Sequence, residues 1–222
     1  PRPDPDASRD AARQGQMIEL TTLQAWEIVA VVLAVGYLVL AIRQNIWCWA
    51  VGAVSTVLYL FIMYQSRLYM ESLLQLFYLA MAAYGWYSWS RPARGEAGGD
   101  GELKVTTWPL RLHLFAIGSV LLLVYISGDL LARYSDAALP HLDSFTTWGA
   151  IVATFMVTRK VLENWLYWFV IDAVSIGLYL SRDLFFTAAL FGAYLVMIVI
   201  GYRSWRASMR ADMQAGMREQ AA

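Results

Sequence analysis

Seven long apolar segments follow one another along this chain and constrain its fold more than any other feature of the sequence. The hydrocarbon core of a bilayer needs about 20 mainly apolar residues for each helix that crosses it. Segments of this kind cover residues 22–41, 46–64, 69–89, 108–127, 144–158, 161–181 and 184–205, the fifth being the shortest. Hydrophobic residues make up 59% of the chain and charged residues 15%, against about 45–50% and about 25% in soluble domains. We therefore predict an all-α integral membrane protein with seven transmembrane helices.

The polar residues of the chain argue against several functions. The 17 basic and 17 acidic residues give no net charge, so there is no electrostatic basis for a nucleic-acid partner. Cys48 is the single cysteine, and with only two histidines the chain cannot supply a typical zinc site. The sequence has no nucleotide-binding glycine loop, no His-Glu-x-x-His motif and no serine nucleophile elbow. We expect neither an enzyme nor a cofactor or metal site.

The distribution of basic residues predicts the orientation. Eleven of the 17 lysines and arginines fall on the side of the C-terminus, and cytoplasmic loops carry the excess of these residues. The N-terminus is therefore predicted outside and the C-terminus in the cytoplasm. The predicted divisions are an extracytoplasmic tail (1–21), a first three-helix repeat (22–90), a cytoplasmic loop (91–107), a linker helix (108–127), an extracytoplasmic connection (128–143), a second three-helix repeat (144–205) and a cytoplasmic tail (206–222). The glycine-rich segment from Arg91 to Lys104 is expected to be a flexible cytoplasmic loop with no specific partner.

Two pairs of similar blocks indicate an internal repeat. The block GAVSTVLYL at 52–60 aligns with DAVSIGLYL at 172–180, an offset of 120, and GWYSW at 85–89 aligns with GYRSW at 201–205, an offset of 116. Spans one to three then correspond to spans five to seven, and span four is a linker. An offset of four spans keeps both copies in the same orientation, which predicts parallel repeats in a 3+1+3 arrangement with a substrate site between them. Chance similarity between apolar helices is the alternative.

Asp172 is the polar residue that stands out at membrane depth, close to the middle of span six. A carboxylate at the bilayer centre costs about 2.5–3.5 kcal/mol unless it is paired or hydrated. Spacings of three and four residues place Trp165, Trp168 and Asp172 on one helical face, which Ser175 and Tyr179 continue. Two indoles beside an acid suit a flat cationic or hydrogen-bonding ring. We therefore predict that these five residues bind substrate.

Gln75 and Tyr78, in span three, are the predicted partners of this face. An amide at that depth can hold a carboxamide or a ribose hydroxyl, and a hydrogen bond between two helices is its structural alternative. Structural alternatives exist for the other candidates too. Trp165 and Trp168 could belong to the aromatic belt at the membrane surface, and Asp172 could pair with another helix.

Several stretches of the chain resemble the PnuC family of bacterial vitamin transporters. They are LQLFY at 74–78, YGWYSWSR at 84–91, LDSF at 142–145 and, most specific, TRKVLENWLYW at 158–168. The family's Trp-x-x-Trp-x-x-x-Asn/Asp motif matches Trp165, Trp168 and Asp172, and its glutamine in span three matches Gln75. Nicotinamide riboside transporters of the family carry Asn where this chain has Asp172. The resemblance extends from span two to span seven.

This resemblance implies a 3+1+3 fold similar to that of the SWEET sugar transporters, a homotrimer, and a place in the bacterial inner membrane. It also implies uptake of nicotinamide riboside by facilitated diffusion, with trapping of the substrate as its phosphate by a cytoplasmic kinase. Some members resemble thiamine transporters (the PnuT branch). Because both vitamins carry a quaternary ring nitrogen, the carboxylate of Asp172 suits either. A proton-coupled symporter that uses Asp172 as the carrier, and a membrane scaffold or channel, are further alternatives.

Overall fold

The computed structural model describes residues 28–29, 31–65, 69–91, 103–134, 139–180 and 185–221. Within these ranges the chain forms seven α-helices and no β-strand, which confirms the predicted all-α fold. The helices are α1 Val31–Ile42, α2 Trp47–Gln65, α3 Tyr69–Trp89, α4 Leu110–Tyr134, α5 Pro140–Thr158, α6 Asn164–Leu180 and α7 Phe185–Ala221. The predicted tail at 1–21 lies outside the described residues.

Three helices are longer than the apolar segments that predicted them. Helix α4 continues to Tyr134 and α5 begins at Pro140, so both extend into 128–143, which was predicted as a connection. Helix α7 continues past Trp205 through the predicted tail. Apolar composition marks only the part of a helix that suits the membrane, whereas arginine, alanine, methionine and glutamine are good helix formers in water as well. The predicted ends of α4 and α7 were therefore too early, and the predicted start of α5 was too late.

Charged side chains lie where α4 extends beyond its apolar part. Arg133 donates to the carboxylate of Asp129 one turn earlier (3.4 Å), a spacing that supports a helix exposed to water. His141 on α5 lies 3.5 Å from the same carboxylate. These residues were predicted to be outside the membrane, and their contacts link the facing ends of α4 and α5.

Helix α4 carries the clearest membrane-compatible surface. By length and composition, Leu110–Tyr134 and Ala188–Arg218 are the two helices of the described chain able to cross a membrane, while Val31–Ile42 and Trp47–Phe61 are shorter apolar helices. Leu114, Phe115 and Tyr125 on α4 are 64%, 75% and 64% exposed. Contiguous apolar surface of this kind is rare on soluble monomers, so it requires lipid or another protein chain around it.

The chain divides into two compact units, and the first consists of Pro1–Leu38 and Trp47–Ala83. In its described part, Tyr37 on α1 packs edge-on against Trp49 on α2, with 6.1 Å between the ring centroids. Gly52 allows this approach, because a Cβ there would lie 2.9 Å from Cδ2 of the Tyr37 ring. Aromatic packing therefore joins α1 to α2.

The second unit consists of Val39–Ile46 and Tyr84–Ala222. Within it α4 packs against α5, α5 against α6, and α6 against α7. Gly149 brings α5 close to α6, since a Cβ at this position would lie 3.0 Å from Cγ1 of Ile171. Small residues at such contacts are typical of helices that pack in membranes.

The last part of the 91–107 loop is paired with the turn after α5. The Thr106 N–H donates to the Lys160 carbonyl (3.0 Å), and the Leu162 N–H donates to the Thr106 carbonyl (2.8 Å), which forms a parallel β-bridge. Backbone hydrogen bonds at Thr106 therefore fix the end of this segment to the turn after α5. Backbone groups make both bonds, so the residue types do not reveal them.

The turns that follow α1 and α5 lie 116 residues apart in the sequence and have the same conformation. Gln44 and Lys160 have φ angles of 54° and 49°, a region that ends many helices and that glycine usually occupies. Each turn is closed by two backbone hydrogen bonds. They are Gln44 N–H to Ala41 O (3.0 Å) and Asn45 N–H to Leu40 O (2.9 Å) in the first turn, and Lys160 N–H to Val157 O (3.0 Å) and Val161 N–H to Met156 O (3.0 Å) in the second.

Candidate functional site

Helix α6 carries most of the predicted site residues, and its first residue anchors it to the preceding turn. Asn164 is fully buried, and its side-chain amide donates to the Val161 carbonyl (2.6 Å). The side-chain oxygen of Asn164 has no hydrogen-bond partner among the described residues. This anchor sets where α6 begins and therefore which of its residues point into the protein.

The four predicted site residues of α6 whose side chains the structure describes share the inner face of the helix, as their spacing indicates. Trp165, Asp172 and Ser175 are buried, and Trp168 is partly buried. The opposite face is apolar and exposed, with Leu166, Phe169, Val170 and Ala173 pointing outward. A helix with an apolar outer face and polar groups on its inner face fits a membrane protein whose polar site is internal.

Asp172 is 5% exposed, and its carboxylate has no hydrogen-bond or ion-pair partner within the described part of the chain. A buried carboxylate without partners is costly, so an incoming ligand with donors or positive charge gains by meeting it. Ser175, about one turn after Asp172 on this face, donates its hydroxyl to the Ile171 carbonyl (2.9 Å). Ser175 can therefore offer a ligand only its oxygen lone pairs.

The indole of Trp165 is covered by α7. A Cβ added at Gly201 would lie 2.5 Å from Cη2 of this ring. Trp205 meets the ring edge-on, with 5.4 Å between centroids and an interplanar angle of 90°. The indole N–H of Trp165 is buried and has no partner within the described residues. Trp165 is therefore packed against the protein in this conformation, and its predicted contact with substrate stays a prediction.

The remaining predicted residues lie on α3 and at the end of α6. Gln75 and Tyr78 are partly buried on α3. They belong to the first compact unit, whereas the α6 residues belong to the second. The Tyr78 ring meets Phe77 of its own helix, 5.7 Å between centroids. Tyr179 lies within α6, but its side chain is outside what the structure describes.

Two tryptophans that were not predicted as functional form a contact chain with Trp165, in which Trp205 meets Trp165 and Trp89 meets Trp205. The indole N–H of Trp89, the last residue of α3, donates to the Val157 carbonyl on α5 (3.2 Å). The indole N–H of Trp205 on α7 donates to the Ala41 carbonyl on α1 (3.0 Å). Their rings lie 6.1 Å apart. Both ended the repeated blocks GWYSW and GYRSW, so the signal was present in the sequence but was used only as evidence of a repeat.

An apolar groove of about 300 Å³ lies between α4, α5 and α6 in the second unit. Ile117, Leu121, Phe145 and Val170 are among its lining residues, and none of the predicted site residues is. Leu121 and Val170 are exposed, so the groove opens on the outer apolar surface. The groove offers a ligand no polar contacts comparable to those of the Asp172 face. No group of three His, Cys, Asp or Glu residues in the described part of the chain is placed to hold a metal ion.

Similarity to known protein families adds evidence independent of this geometry. The profile described as "nicotinamide mononucleotide transporter" matches residues 24–207, most of the chain. The chain belongs to the nicotinamide mononucleotide transporter family. This confirms the resemblance to PnuC proteins that the sequence motifs indicated.

Relatives within this family agree in length as well as in sequence. The nicotinamide riboside transporter PnuC of Escherichia coli is 29% identical over 219 residues, covering 86% of this chain and 88% of the relative. The riboflavin/roseoflavin transporter RibM of Streptomyces davaonensis is 27% identical over 192 residues, covering 84% and 86%. A crystal structure of the vitamin B3 transporter PnuC superposes with a TM-score of 0.67 at 23% identity, covering 90% and 88% of the two chains.

Together these findings establish a helical membrane transporter of the nicotinamide mononucleotide transporter family. The family is one of multi-pass inner-membrane proteins that move small molecules. The solved relative, at 23% identity, supports the fold. The substrate has to be argued from the residues of this chain.

Proposed function

We propose that this protein takes up nicotinamide riboside across the bacterial inner membrane by facilitated diffusion. The E. coli relative that carries this substrate in its name aligns over 88% of its own length. The sequence contains no ATP-binding motif that would make the chain a pump. Trapping of the substrate by a cytoplasmic kinase would then keep the gradient directed inward.

This proposal is carried by the buried carboxylate of Asp172, which has no partner among the residues that the structure describes. Trp168 lies one turn before Asp172 on the same face of α6, and its ring is not fully covered. In the proposed complex, the cationic nicotinamide ring stacks on Trp168 while Asp172 accepts hydrogen bonds and balances the positive charge. Gln75 holds the carboxamide or a ribose hydroxyl, and Trp165 is a further wall of the site.

The remaining substrate contacts and the proposed movement follow from the same arrangement. Tyr78 lies one turn from Gln75, and Ser175 and Tyr179 continue the α6 face toward its end. Two three-helix repeats, 22–90 and 144–205, rock about the site and expose it alternately to either side of the membrane. The linker 108–127 joins them in a 3+1+3 arrangement like that of the SWEET transporters.

The matching turns at Gln44 and Lys160 support the repeats, because their hydrogen bonds correspond at an offset of 116. The 85–89 and 201–205 blocks have this offset. The blocks at 52–60 and 172–180 have an offset of 120. Their alignment is therefore shifted by four residues, about one helical turn, from the alignment that Gln44 and Lys160 define. A shift of four residues keeps the same helical face, which explains why the similarity persists.

The orientation and assembly are part of the proposal. The C-terminus is placed in the cytoplasm by the excess of lysine and arginine on that side. The exposed apolar surface of α4 offers a face for a homotrimer or for lipid. A proton-coupled symporter that uses Asp172 is the mechanistic rival. Uptake driven by a pH gradient against a substrate gradient would favour it over facilitated diffusion.

A flavin is the second candidate substrate, because RibM matches this chain about as well as the E. coli relative does. Riboflavin is also a flat ring system with hydrogen-bonding groups, but it carries no positive charge. Thiamine remains the third candidate, on the cationic ring that it shares with nicotinamide riboside. Charge therefore separates riboflavin from the other two.

Calorimetry with the purified protein tests the proposal, using nicotinamide riboside, thiamine and riboflavin as separate ligands. We expect nicotinamide riboside to bind and Asp172→Ala to weaken it about 10- to 100-fold, because a hydrogen bond to a charged group is lost. Asp212→Ala, at an exposed position on α7, is the matched control and should bind as the parent does. Tight binding of riboflavin or thiamine alone would refute nicotinamide riboside as the substrate. If binding is unchanged in Asp172→Ala, the proposed role of the carboxylate is wrong.

A further inference from the structure

Trp89 and Trp205 make equivalent hydrogen bonds to two backbone carbonyls within the second compact unit. Trp89 donates to the end of α5, and Trp205 donates to the end of α1. Each carbonyl also accepts the backbone N–H that closes its turn, so both of its lone pairs are used. Trp89 is 5% exposed and Trp205 is fully buried. We call the two tryptophans, with Ala41 and Val157, the tryptophan clasp.

The two halves of the clasp correspond at one sequence offset. Adding 116 to Ala41 gives Val157, and adding 116 to Trp89 gives Trp205. The same offset relates Gln44 to Lys160, whose side chains bond to each other (Nζ to Oε1, 3.1 Å). The Lys160 ammonium also lies 4.7 Å from the centroid of the Trp89 ring. Exchange of equivalent bonds, together with one bond between equivalent residues, is what a local two-fold axis produces.

The clasp is in contact with the proposed substrate face. Trp205 meets the ring of Trp165, which lies one turn before Trp168 on the inner face of α6. Because Gly201 has no side chain, the same Trp165 ring can pack directly against α7. A movement of α6 that accompanies substrate binding at Trp168 or Asp172 therefore reaches Trp205 through a single intervening side chain.

We propose that the tryptophan clasp is the gate that closes the transporter at the end of the bundle carrying the Gln44 and Lys160 turns, with Trp165 as the residue that couples it to the substrate. This inference rests on the proposed transport function, and the charge distribution places that end in the cytoplasm. The clasp is suited to repeated opening. The two acceptor carbonyls lie at the ends of α1 and α5, and once the clasp is open water can replace each hydrogen bond at small net cost.

Removing one indole N–H at a time tests the clasp. Trp89→Phe and Trp205→Phe keep an aromatic ring but lose the donor. Trp148→Phe is the matched control, because the Trp148 indole donates to the Ser127 hydroxyl (3.1 Å), a bond between α4 and α5 outside the clasp. Each clasp variant should favour the open form about 2- to 10-fold, from the loss of one hydrogen bond. The control should leave this equilibrium unchanged.

A thiol placed beside the clasp reports its opening. Thr158, next to Val157, is fully buried, and Thr158→Cys in a Cys48→Ala background changes little volume. We expect N-ethylmaleimide to label position 158 about 2- to 10-fold faster in both clasp variants than in Trp148→Phe. Nicotinamide riboside should change the labelling rate in the parent and have a smaller effect in Trp165→Leu.

Hydrogen exchange gives a second measurement without the cysteine substitutions. The amides of Gln44 and Lys160 should exchange faster in both clasp variants. Labelling and exchange that match the control overturn the proposal, as does acceleration in only one of the two variants, because equivalent bonds must act together. Absence of ligand binding in the parent would refute the proposed function. The labelling and exchange rates would still decide whether the clasp opens.

Discussion

Replacing Gly201 with alanine places a methyl group against the indole of Trp165. The new Cβ would lie 2.5 Å from Cη2, 2.6 Å from Cζ3 and 2.7 Å from Cζ2, whereas carbon atoms in contact prefer about 3.5–4.0 Å. Trp165 is only 2% exposed, and Trp205 meets the same ring. The indole therefore has little room to move, so α6 and α7 must separate or the ring must leave its rotamer.

Overpacking of this kind costs about 1–3 kcal/mol. Alanine also gains about 1 kcal/mol over glycine inside a helix, and a control on the same helix cancels that gain. Gly192→Ala is such a control, since a Cβ there meets no described atom within 4 Å. We expect Gly201→Ala to be less stable than Gly192→Ala by about 1–3 kcal/mol, which lowers Tm by about 2–12 °C for a chain of this size.

Thermal unfolding of the purified variants in one detergent, followed by tryptophan fluorescence, measures the difference. Trp165→Phe removes most of the indole atoms nearest the new methyl group, so the double variant Gly201→Ala/Trp165→Phe should lose less stability than the two single changes together. Equal Tm values for Gly201→Ala and Gly192→Ala would show that Trp165 does not pack on α7 as described. Strict additivity in the double variant would refute the steric explanation.

Three further changes test the site and its supports. Trp168→Ala should weaken nicotinamide riboside binding about 5- to 150-fold by calorimetry, since stacking of a ring on an aromatic side chain contributes about 1–3 kcal/mol; unchanged affinity would exclude stacking at this position. Glu163→Ala removes the acceptor of the Trp108 N–H (3.3 Å) and should speed hydrogen exchange at Trp108 several-fold, whereas Glu163→Gln retains an acceptor and should have a smaller effect. Tyr167→Phe removes the hydrogen bond to His113 Nδ1 (3.0 Å) and should destabilise the protein by about 0.5–1.5 kcal/mol in thermal unfolding; a Tm equal to that of the parent would show that this bond contributes nothing.

The features that could be predicted from the sequence are those set by neighbouring residues. The apolar segments indicated seven helices because the free energy of burying a side chain in lipid depends mainly on its own chemistry. The shared face of Trp165, Trp168 and Asp172 followed from helical periodicity alone. The family resemblance came from motifs that are continuous or nearly so along the chain. None of these features depends on which helices are in contact, so each could be predicted from the sequence alone.

The tertiary structure decided the features that join distant parts of the chain. Trp165 and Trp168 have the same residue type and share one helical face, yet α7 covers the first and leaves the second partly open. The indole of Trp205 reaches a carbonyl on α1, and the backbone of Thr106 pairs with the turn after α5. Backbone carbonyls exist at every residue, so sequence cannot single out the ones that accept these bonds. Only the packing of the helices selects them.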